Sequence, residues 1–457
     1  MKNLKFYDNL YKNKKEQNIQ LKLHEIVKLL TKGMIKSMRA NQRKRKRSTK
    51  KTLNLASLIL GIILIILLVL LFSILHDNNN SSKNNNIDSN GKEIKTSSDE
   101  SNSPPQEEEK DISFNMSVIG DVMCHDSQYK DAYNTSTKEY DFSYVFEDVK
   151  YYLQTADIAV GNLETTFAGS EIGYSSYPTF NSPEALAYNL KKLGLDVLCT
   201  ANNHSLDKGY KGIEGTIKTL DDADIAHTGT YTSEEEQNKI LIQNVKGVKI
   251  AFLSFTYGTN GIPIPKGKDY CINLIDNDLI LKQLDLAKKE NPDMICVFMH
   301  WGTEYVTKQL KSQEDLADFL FKNGVDVILG GHPHVLEPME KRTITLEDGS
   351  TKDGFVIYSL GNFVSGQNKE NTKISAILNL SFTKNGKTGK ISIDDVSYIP
   401  VYMYRAPSGT TKRYKLLVIE TAIANYESGA DTSIGSSMYT TLKKALTTTT
   451  DILGTIE

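Results

Sequence analysis

Residues 326–334 read Asp326-Val327-Ile328-Leu329-Gly330-Gly331-His332-Pro333-His334. The first part is a short apolar run, and the last part is a turn carrying two imidazoles two residues apart. A run of this length bounded by glycine predicts a buried strand over 326–330. Other short runs end in the same way. Asp121 follows a predicted strand at 112–119, and Asn162 with Glu164 follows one at 157–161. Asn202, Asn203 and His204 follow 196–200, His300 follows 293–299, and Asn362 follows 354–359. In open α/β sheets, ligands bind in the crevice beyond the carboxyl ends of the strands. Six strand ends therefore deliver Asp, Glu, Asn and His toward what can be one place.

The segments between these runs carry helical periodicity, at 144–155, 183–193, 212–222, 276–290 and 312–323. Ser182-Pro183-Glu184 places a proline at an expected first helical position. A further strand is predicted at 248–255. Strands alternating with helices argue for a layered α/β domain. The runs 372–382 and 389–399 are strand-like with no helix between them, so part of the sheet is expected to be mixed or antiparallel. A helix is expected near 435–447, and no internal repeat is evident.

The polar set has a definite chemistry. Of eight histidines, six lie in the folded part, and four of these (His204, His300, His332, His334) sit at strand ends. His125 lies four residues after Asp121, and only His227 lies clearly elsewhere. Neutral imidazole, carboxylate and amide oxygen together suit Zn, Mn or Fe. One histidine after a strand is as well explained by a loop or a packed core; the set together points to one or two divalent ions. The four cysteines (Cys124, Cys199, Cys271, Cys296) show neither a dense disulfide framework nor a CxxC zinc pattern.

Outside this part the chain changes character. The 457 residues carry 54 Lys+Arg and 56 Asp+Glu, a net charge of −2. Residues 1–52 hold 17 basic and 3 acidic side chains, so the remainder is acidic, which argues against a nucleic-acid binder. Leu53–Leu75 is a run of 23 residues without a charge. At about 1.5 Å per residue it is long enough for a hydrocarbon core of about 30 Å. It begins too late and runs too long for a cleaved signal peptide, so a permanent anchor is expected at 53–75. The Lys/Arg block before it places 1–52 on the cytoplasmic side, against anionic lipid heads, and the C-terminal part outside. Residues 76–110, rich in Asn and Ser, read as a disordered linker. The folded part is expected to begin near Asp111, with the main domain at 111–400 and a C-terminal extension at 401–457 packing on it or lying at its periphery.

Six motifs in order carry a resemblance. They are Gly120-Asp121-Val122-Met123, Gly161-Asn162-Leu163-Glu164, Ala201-Asn202-Asn203-His204-Ser205-Leu206-Asp207, His300-Trp301-Gly302-Thr303-Glu304-Tyr305, Gly331-His332-Pro333-His334-Val335 and Tyr358-Ser359-Leu360-Gly361-Asn362-Phe363. Together, over roughly 112–365, they resemble the capsule-synthesis family associated with poly-γ-glutamate, often called the CapA family. That family is in turn similar to the calcineurin-like metallophosphatases. The resemblance implies a layered α/β/β/α sandwich. It implies Asp121, Glu164, Asn203, His300, His332 and His334 as metal ligands, Glu164 being the bridging carboxylate, and His204 as the acid or phosphate-orienting group. Asp207 is a natural partner for a ligating or catalytic imidazole, or equally a loop cap.

Two positions depart from the superfamily pattern. Its first motif is Asp-x-His, whereas Met123 stands here, with His125 two residues further on as a possible substitute ligand. Asn162 stands where the superfamily has Asp, and is a second possible ligand. Trp301, Glu304 and Tyr305 can shape a substrate groove or be packing and a rim charge. Phe363 reads as core. Arg405 and Lys412-Arg413 can face an anionic polymer or be a solvated loop.

The resemblance leads to the expectation of a membrane-anchored protein of capsule or poly-γ-glutamate synthesis, with an extracellular domain performing metal-dependent hydrolysis or transfer. Its partners would be synthase and exporter subunits. Two alternatives stand beside it: a non-catalytic scaffold or polymer-binding subunit, and a general extracellular metallophosphoesterase.

Overall fold

The computed structural model describes residues 110–346 and 349–455. The basic segment 1–52, the expected membrane anchor 53–75 and nearly all of the linker 76–110 lie outside them. Among the described residues no helix is long and apolar enough to cross a membrane.

Among the described residues sixteen strands follow in chain order: β1 (Ile112–Val122), β2 (Tyr133–Asn134), β3 (Glu139–Tyr140), β4 (Ile158–Leu163), β5 (Val197–Cys199), β6 (Ala226–Thr228), β7 (Leu241–Val245) and β8 (Val248–Thr256). They continue with β9 (Met294–His300), β10 (Val327–Gly331), β11 (Leu336–Thr345), β12 (Thr351–Leu360), β13 (Asn362–Val364), β14 (Ile374–Lys384), β15 (Ile391–Arg405) and β16 (Tyr414–Val418). One sheet of eight strands runs β16-β15-β14-β1-β4-β5-β6, with β13 paired to β1; a second of six runs β11-β12-β10-β9-β8-β7. The strands β2 and β3 form a small separate ribbon.

The two sheets stack face to face. Phe114, Met116, Val118, Val160 and Leu378 of one share a buried core with Ile250, Phe252, Phe298, Leu329 and Ile357 of the other. Near-continuous apolar runs such as Cys296–Met299 arise because both faces of these strands are covered. On the outer face of the larger sheet lies the helix Ala185–Leu193, with Leu186, Leu190 and Leu193 buried. On the outer face of the smaller sheet lie Asn277–Lys289 and Lys311–Lys322, through Ile280, Leu284, Ala317 and Leu320. The result is four layers, helix–sheet–sheet–helix, a mixed α/β sandwich.

Register brings the polar residues to one end. In the larger sheet Asp121 is paired in parallel with Asn162 on one side and with Asn362 on the other. In the smaller sheet His300 is paired in parallel with Gly331 and with Thr256. Glu164 and His332 each lie just beyond these pairs.

Several elements differ from expectation. The helix expected at 144–155 is a 3₁₀ turn, Ser143–Phe146, and a short helix, Lys150–Gln154. Tyr144, Val145 and Phe146 are buried in succession, which the single stripe of an α-helix cannot provide. The helix predicted at 183–193 begins at Ala185 with Glu184 as its cap. Pro183 thus precedes the helix and accepts from the Leu186 amide at 3.0 Å. The runs at 372–382 and 389–399 form the antiparallel pair β14–β15. Residues 401–455 belong to the sandwich: β15 continues through Arg405, β16 is the edge strand of the larger sheet, and the helix Gly435–Leu453 buries Leu442, Ala445 and Leu453 in the inter-sheet core.

Candidate metal centre

Two tight loops and two strand ends build the centre. In the segment after β5, Ser205 Oγ accepts from the Asn202 amide at 2.9 Å and donates to Thr200 O at 2.6 Å, while Asn202 Oδ1 accepts from the His204 amide at 3.1 Å. These bonds fold the chain back on itself and present Asn203 and His204. After β10, His332 and His334 both take positive φ, +96° and +61°. Non-glycine residues rarely adopt this region, and such conformations collect at functional sites. The His332 amide donates to Asp121 Oδ2 at 3.2 Å, fixing the loop against β1.

Gly331 is required by space. A Cβ there would lie 2.5 Å from Asp121 Oδ1 and 3.0 Å from the Phe298 ring. We expect Gly331→Ala to displace the Asp121 carboxylate. It should lower metal affinity by more than tenfold at a stability cost of about 1–3 kcal/mol. Equilibrium dialysis and thermal melts would check this, and an unchanged affinity would contradict the placement of Asp121.

Asp121, Glu164, His300, His332 and His334 are all buried. His334 Nδ1 lies 3.5 Å from Asp121 Oδ2, 3.8 Å from Glu164 Oε2 and 3.0 Å from Asn362 Oδ1. His300 Nε2 lies 3.6 Å from Glu164 Oε1 and 2.9 Å from Asn203 Oδ1. Two donors, each about 2.1 Å from one ion at tetrahedral or octahedral angles, lie roughly 3.0–3.4 Å apart. The observed spacings are close to that. One Glu164 oxygen faces each cluster, so this carboxylate stands between two donor groups.

The electrostatics agree. Both Glu164 oxygens and His332 Nδ1 are buried with no hydrogen-bond partner. Orphaned buried acceptors are costly unless a cation satisfies them. Burial, with the charge of Asp121, pushes the Glu164 carboxyl up to about 8. For Asp121 burial acts upward, but the hydrogen bond from the charged His334, with that from Asn162, outweighs it and holds the group below its usual value. Burial alone would lower His334, yet Glu164 and Asp121 outweigh it and hold this imidazole at about 9. In the metal-free chain a proton on His334 thus supplies part of the positive charge the pocket demands. His300 and His332 are pushed down to about 3, chiefly by burial, and so are neutral and able to ligate. The donor set fits one or two divalent cations.

The other expected residues fall as follows. Asn162 Nδ2 donates to Asp121 Oδ1 at 2.8 Å and lies 3.4 Å from His300 Nδ1, so this nitrogen orients two donors. His125 is not brought into the ligand groups: its Nδ1 accepts from the Gly366 amide at 3.0 Å, which in the neutral ring leaves the proton on Nε2. Met123 is buried, with its sulfur 3.9 Å from Ser365 Oγ, and offers nothing to the centre. Asp207 Oδ2 lies 2.7 Å from His204 Nδ1 and accepts from the Phe180 amide at 2.6 Å. Trp301 is core: it is buried, and Nε1 donates to Tyr358 O at 2.9 Å. Phe363 is buried as expected. Arg413 is engaged locally, its Nε donating to Ala406 O, and Lys412 lies over the Tyr144 ring. All four cysteines are buried free thiols, which excludes the disulfide framework and leaves the centre without sulfur.

Two residues named from the sequence, but not as ligands or ligand partners, take part in the centre. Glu304 offers a carboxylate oxygen within 4.8 Å of donor atoms on His332 and His334. Its neighbour Tyr305 has φ +68° and ties this loop to the other by donating to Pro333 O at 2.8 Å. Asn362 holds His334 through its Oδ1.

Residues 115–367, more than half of the chain, match the family described as "Bacterial capsule synthesis protein PGA_cap". The chain is 33% identical over 280 residues to the "Capsule biosynthesis protein CapA" of Bacillus anthracis, covering 59% of this chain and 64% of that protein. It is 30% identical over 280 residues to the "PGA biosynthesis protein CapA" of Bacillus subtilis (strain 168), covering 60% of this chain and 68% of that one. Among solved structures, the calcineurin-like phosphoesterase YfkN from Bacillus subtilis aligns at 14% identity and TM-score 0.39, over 73% of this chain and 99% of that one. The NAD nucleotidase NadN of Haemophilus influenzae aligns at 14% identity and TM-score 0.40, over 76% of this chain and 57% of that one. Both likenesses are too loose to add to the fold described above. The match across all six motif segments, with the residues they carry gathered at one end of the sandwich, establishes that this chain belongs to the bacterial capsule synthesis protein family PGA_cap.

Proposed function

We propose that this chain is a membrane-anchored protein of capsule or poly-γ-glutamate synthesis whose outer domain carries out metal-dependent hydrolysis or transfer. The anchor is the uncharged run 53–75, with the basic segment inside and the folded domain outside. The substrate is an anionic polymer or its activated precursor, and the partners are synthase and exporter subunits. One observation carries the catalytic part: a fully buried carboxylate, Glu164, has both oxygens without hydrogen-bond partners, each facing a different imidazole cluster.

Asp121, Glu164 and His334 would hold one ion, and Glu164, Asn203, His300 and His332 a second. Bound divalent ions polarise a phosphoryl or acyl oxygen and lower the pKa of bound water. The chain's own residues supply the rest. Asp207 accepts from His204 Nδ1 and fixes that tautomer, so Nε2 is the nitrogen left to meet the substrate. Phe180 packs edge-on against the same ring, with centroids 4.8 Å apart, and holds its plane. His204 then gives a proton to the leaving oxygen or places a positive charge beside it. Asn162 and Asn362 orient Asp121, His300 and His334. Tyr257, half-exposed with its ring 4.4 Å from that of His332, forms one wall of the entrance.

Replacing His204 by Ala should leave bound metal unchanged and lower turnover of a phosphodiester probe such as bis(p-nitrophenyl) phosphate by about 10²–10⁴. Polymer output from cells should fall with it. Full output from the His204→Ala protein would remove the catalytic reading.

Met123 favours a second reading. The superfamily has a ligating histidine there, and here a buried thioether packs away. A scaffold that binds polymer through a partly degenerate centre would keep its output in both His204→Ala and Glu164→Ala.

A further inference from the structure

A cleft of about 210 Å³ opens between the segment after β13 and the helix Gly435–Leu453, with Lys369, Asn371, Lys373, Tyr402, Thr441 and Lys444 in its walls. Its three ammonium groups differ in their partners. Lys444 lies 3.3 Å from Glu370 at the exposed rim. Lys369 and Lys373 have no carboxylate partner among the described residues. Lys369 Nζ rests 3.5 Å from the centroid of the Tyr305 ring. Lys373 is half-buried just before β14, and the charge that acts on it is another cation, Arg405. Burial and that like charge both push its ammonium below the usual value. A half-desolvated cation beside a like charge is unfavourable until a counter-ion arrives.

A wall of the cleft reaches the metal centre through Lys369 and Tyr305. The Tyr305 ring under Lys369 lies 6.0 Å from the ring of His334. Asn362, which accepts from His334, donates its amide to Gln367 Oε1 at 3.0 Å and to Thr372 O at 3.1 Å. The Gly366 amide donates to His125. One short segment therefore frames both the centre and the cleft.

We propose that this cleft is an oxyanion subsite, in which Lys369 and Lys373 hold an anionic group of an extended substrate whose reacting bond lies at the metal centre. The proposal rests on the reading of that centre as the reacting site. An ammonium is a point charge that meets carboxylate or phosphate oxygens from any side, so two of them in one cleft suit a chain of repeated anionic groups.

Isothermal titration of the full-length chain tests this, in EDTA and again with Mn²⁺. The probes are a γ-linked glutamate pentamer and a linear pentapolyphosphate. Lys369→Gln and Lys373→Gln should each weaken binding of at least one probe by about tenfold, the loss of one charge-assisted contact. Lys373→Arg should restore most of it. Lys415→Gln should bind as wild type, because that ammonium pairs with Asp148 at 3.0 Å elsewhere on the molecule. The weakened probe identifies carboxylate or phosphate as the recognised group. Binding of neither probe by the wild type, wild-type affinity in both lysine variants, or an equal loss in Lys415→Gln would overturn the subsite. Failure of the reacting-site reading shows separately: His334→Ala would then leave turnover unchanged, whatever the probe affinities.

Discussion

Glu164→Gln should abolish measurable uptake of one divalent ion and weaken the other by more than about 100-fold, while leaving the metal-free fold as stable as wild type or more so. The two halves come from the same geometry. As a carboxylate, Glu164 faces His300 with one oxygen and His334 with the other, at 3.6 and 3.8 Å. Gln keeps the shape but offers one neutral oxygen, so the negative charge shared by both clusters is gone. Loss of an orienting partner outside the ligand shell already costs about 10–100-fold in affinity, and loss of the bridging ligand exceeds that. The stability half has the opposite sign. In the metal-free chain the Glu164 oxygens are buried and unpaired, so the ionised group is a liability. Removing it should raise the melting temperature in EDTA above pH 8, where the wild-type carboxyl is charged. Inductively coupled plasma analysis of bound metal and melts with and without EDTA separate the outcomes. A variant that binds metal normally but melts lower would mean that Glu164 is a structural acid.

How much of this was legible in the sequence depends on the reach of the contact. The strand ends were readable because apolar runs such as Val327–Gly331 and Met294–His300 stop where the backbone leaves the sheet, and the next polar residue then points into the crevice. Parallel pairing did the rest, setting Asp121 level with Asn162 and Asn362. Glu304 was readable as a groove or rim residue but not as a metal donor. It lies four residues past its strand, and only the positive φ of Tyr305 and the bond to Pro333 O bring it to His332 and His334. His125 reads as a substitute ligand by proximity in sequence. Gly366, 241 residues later, occupies its nitrogen.

The strands that escaped notice did so because their alternation is weak. β11 carries Glu340, Lys341 and Arg342 in sequence with one face toward solvent, so no apolar run marks it. β6 is three residues long and only partly buried. The helix Gly435–Leu453 is rich in Thr, which masks its apolar stripe. It reads as a helix through the spacing of Leu442, Ala445 and Leu453 on the core.

The stability of the metal-free chain should pass through a maximum near pH 6.5, and bound metal should remove the alkaline fall. The signs follow from which state holds more protons. His300 and His332, at about 3, and His125, at about 4, lie below the ordinary imidazole value of 6.5. Between those values the unfolded chain binds more protons, so stability rises with pH. Asp121, held low, adds stability that is lost as pH falls into the acid range. Glu164 at about 8 and Glu337 at about 7 are raised by burial from 4.5, and their contribution is lost as pH rises through those values. Below pH 6.5 the three imidazoles and Asp121 outweigh the two carboxyls. Above it the imidazoles are spent, and His334 joins the opposing side because its folded value of about 9 exceeds 6.5. Glu164 and His334 then release between one and two protons. Stability therefore falls as pH rises between 6.5 and 8, by about 1.4 kcal/mol per pH unit for each proton the pair holds only when folded. Divalent metal reverses this slope, because it binds the deprotonated ligands and binds more tightly as pH rises. Chemical denaturation in EDTA from pH 4 to 9, repeated with saturating Mn²⁺, reads both curves. A metal-free curve still rising through pH 8 would mean that Glu164 is not held protonated, and the case for a cation-demanding pocket would fall with it.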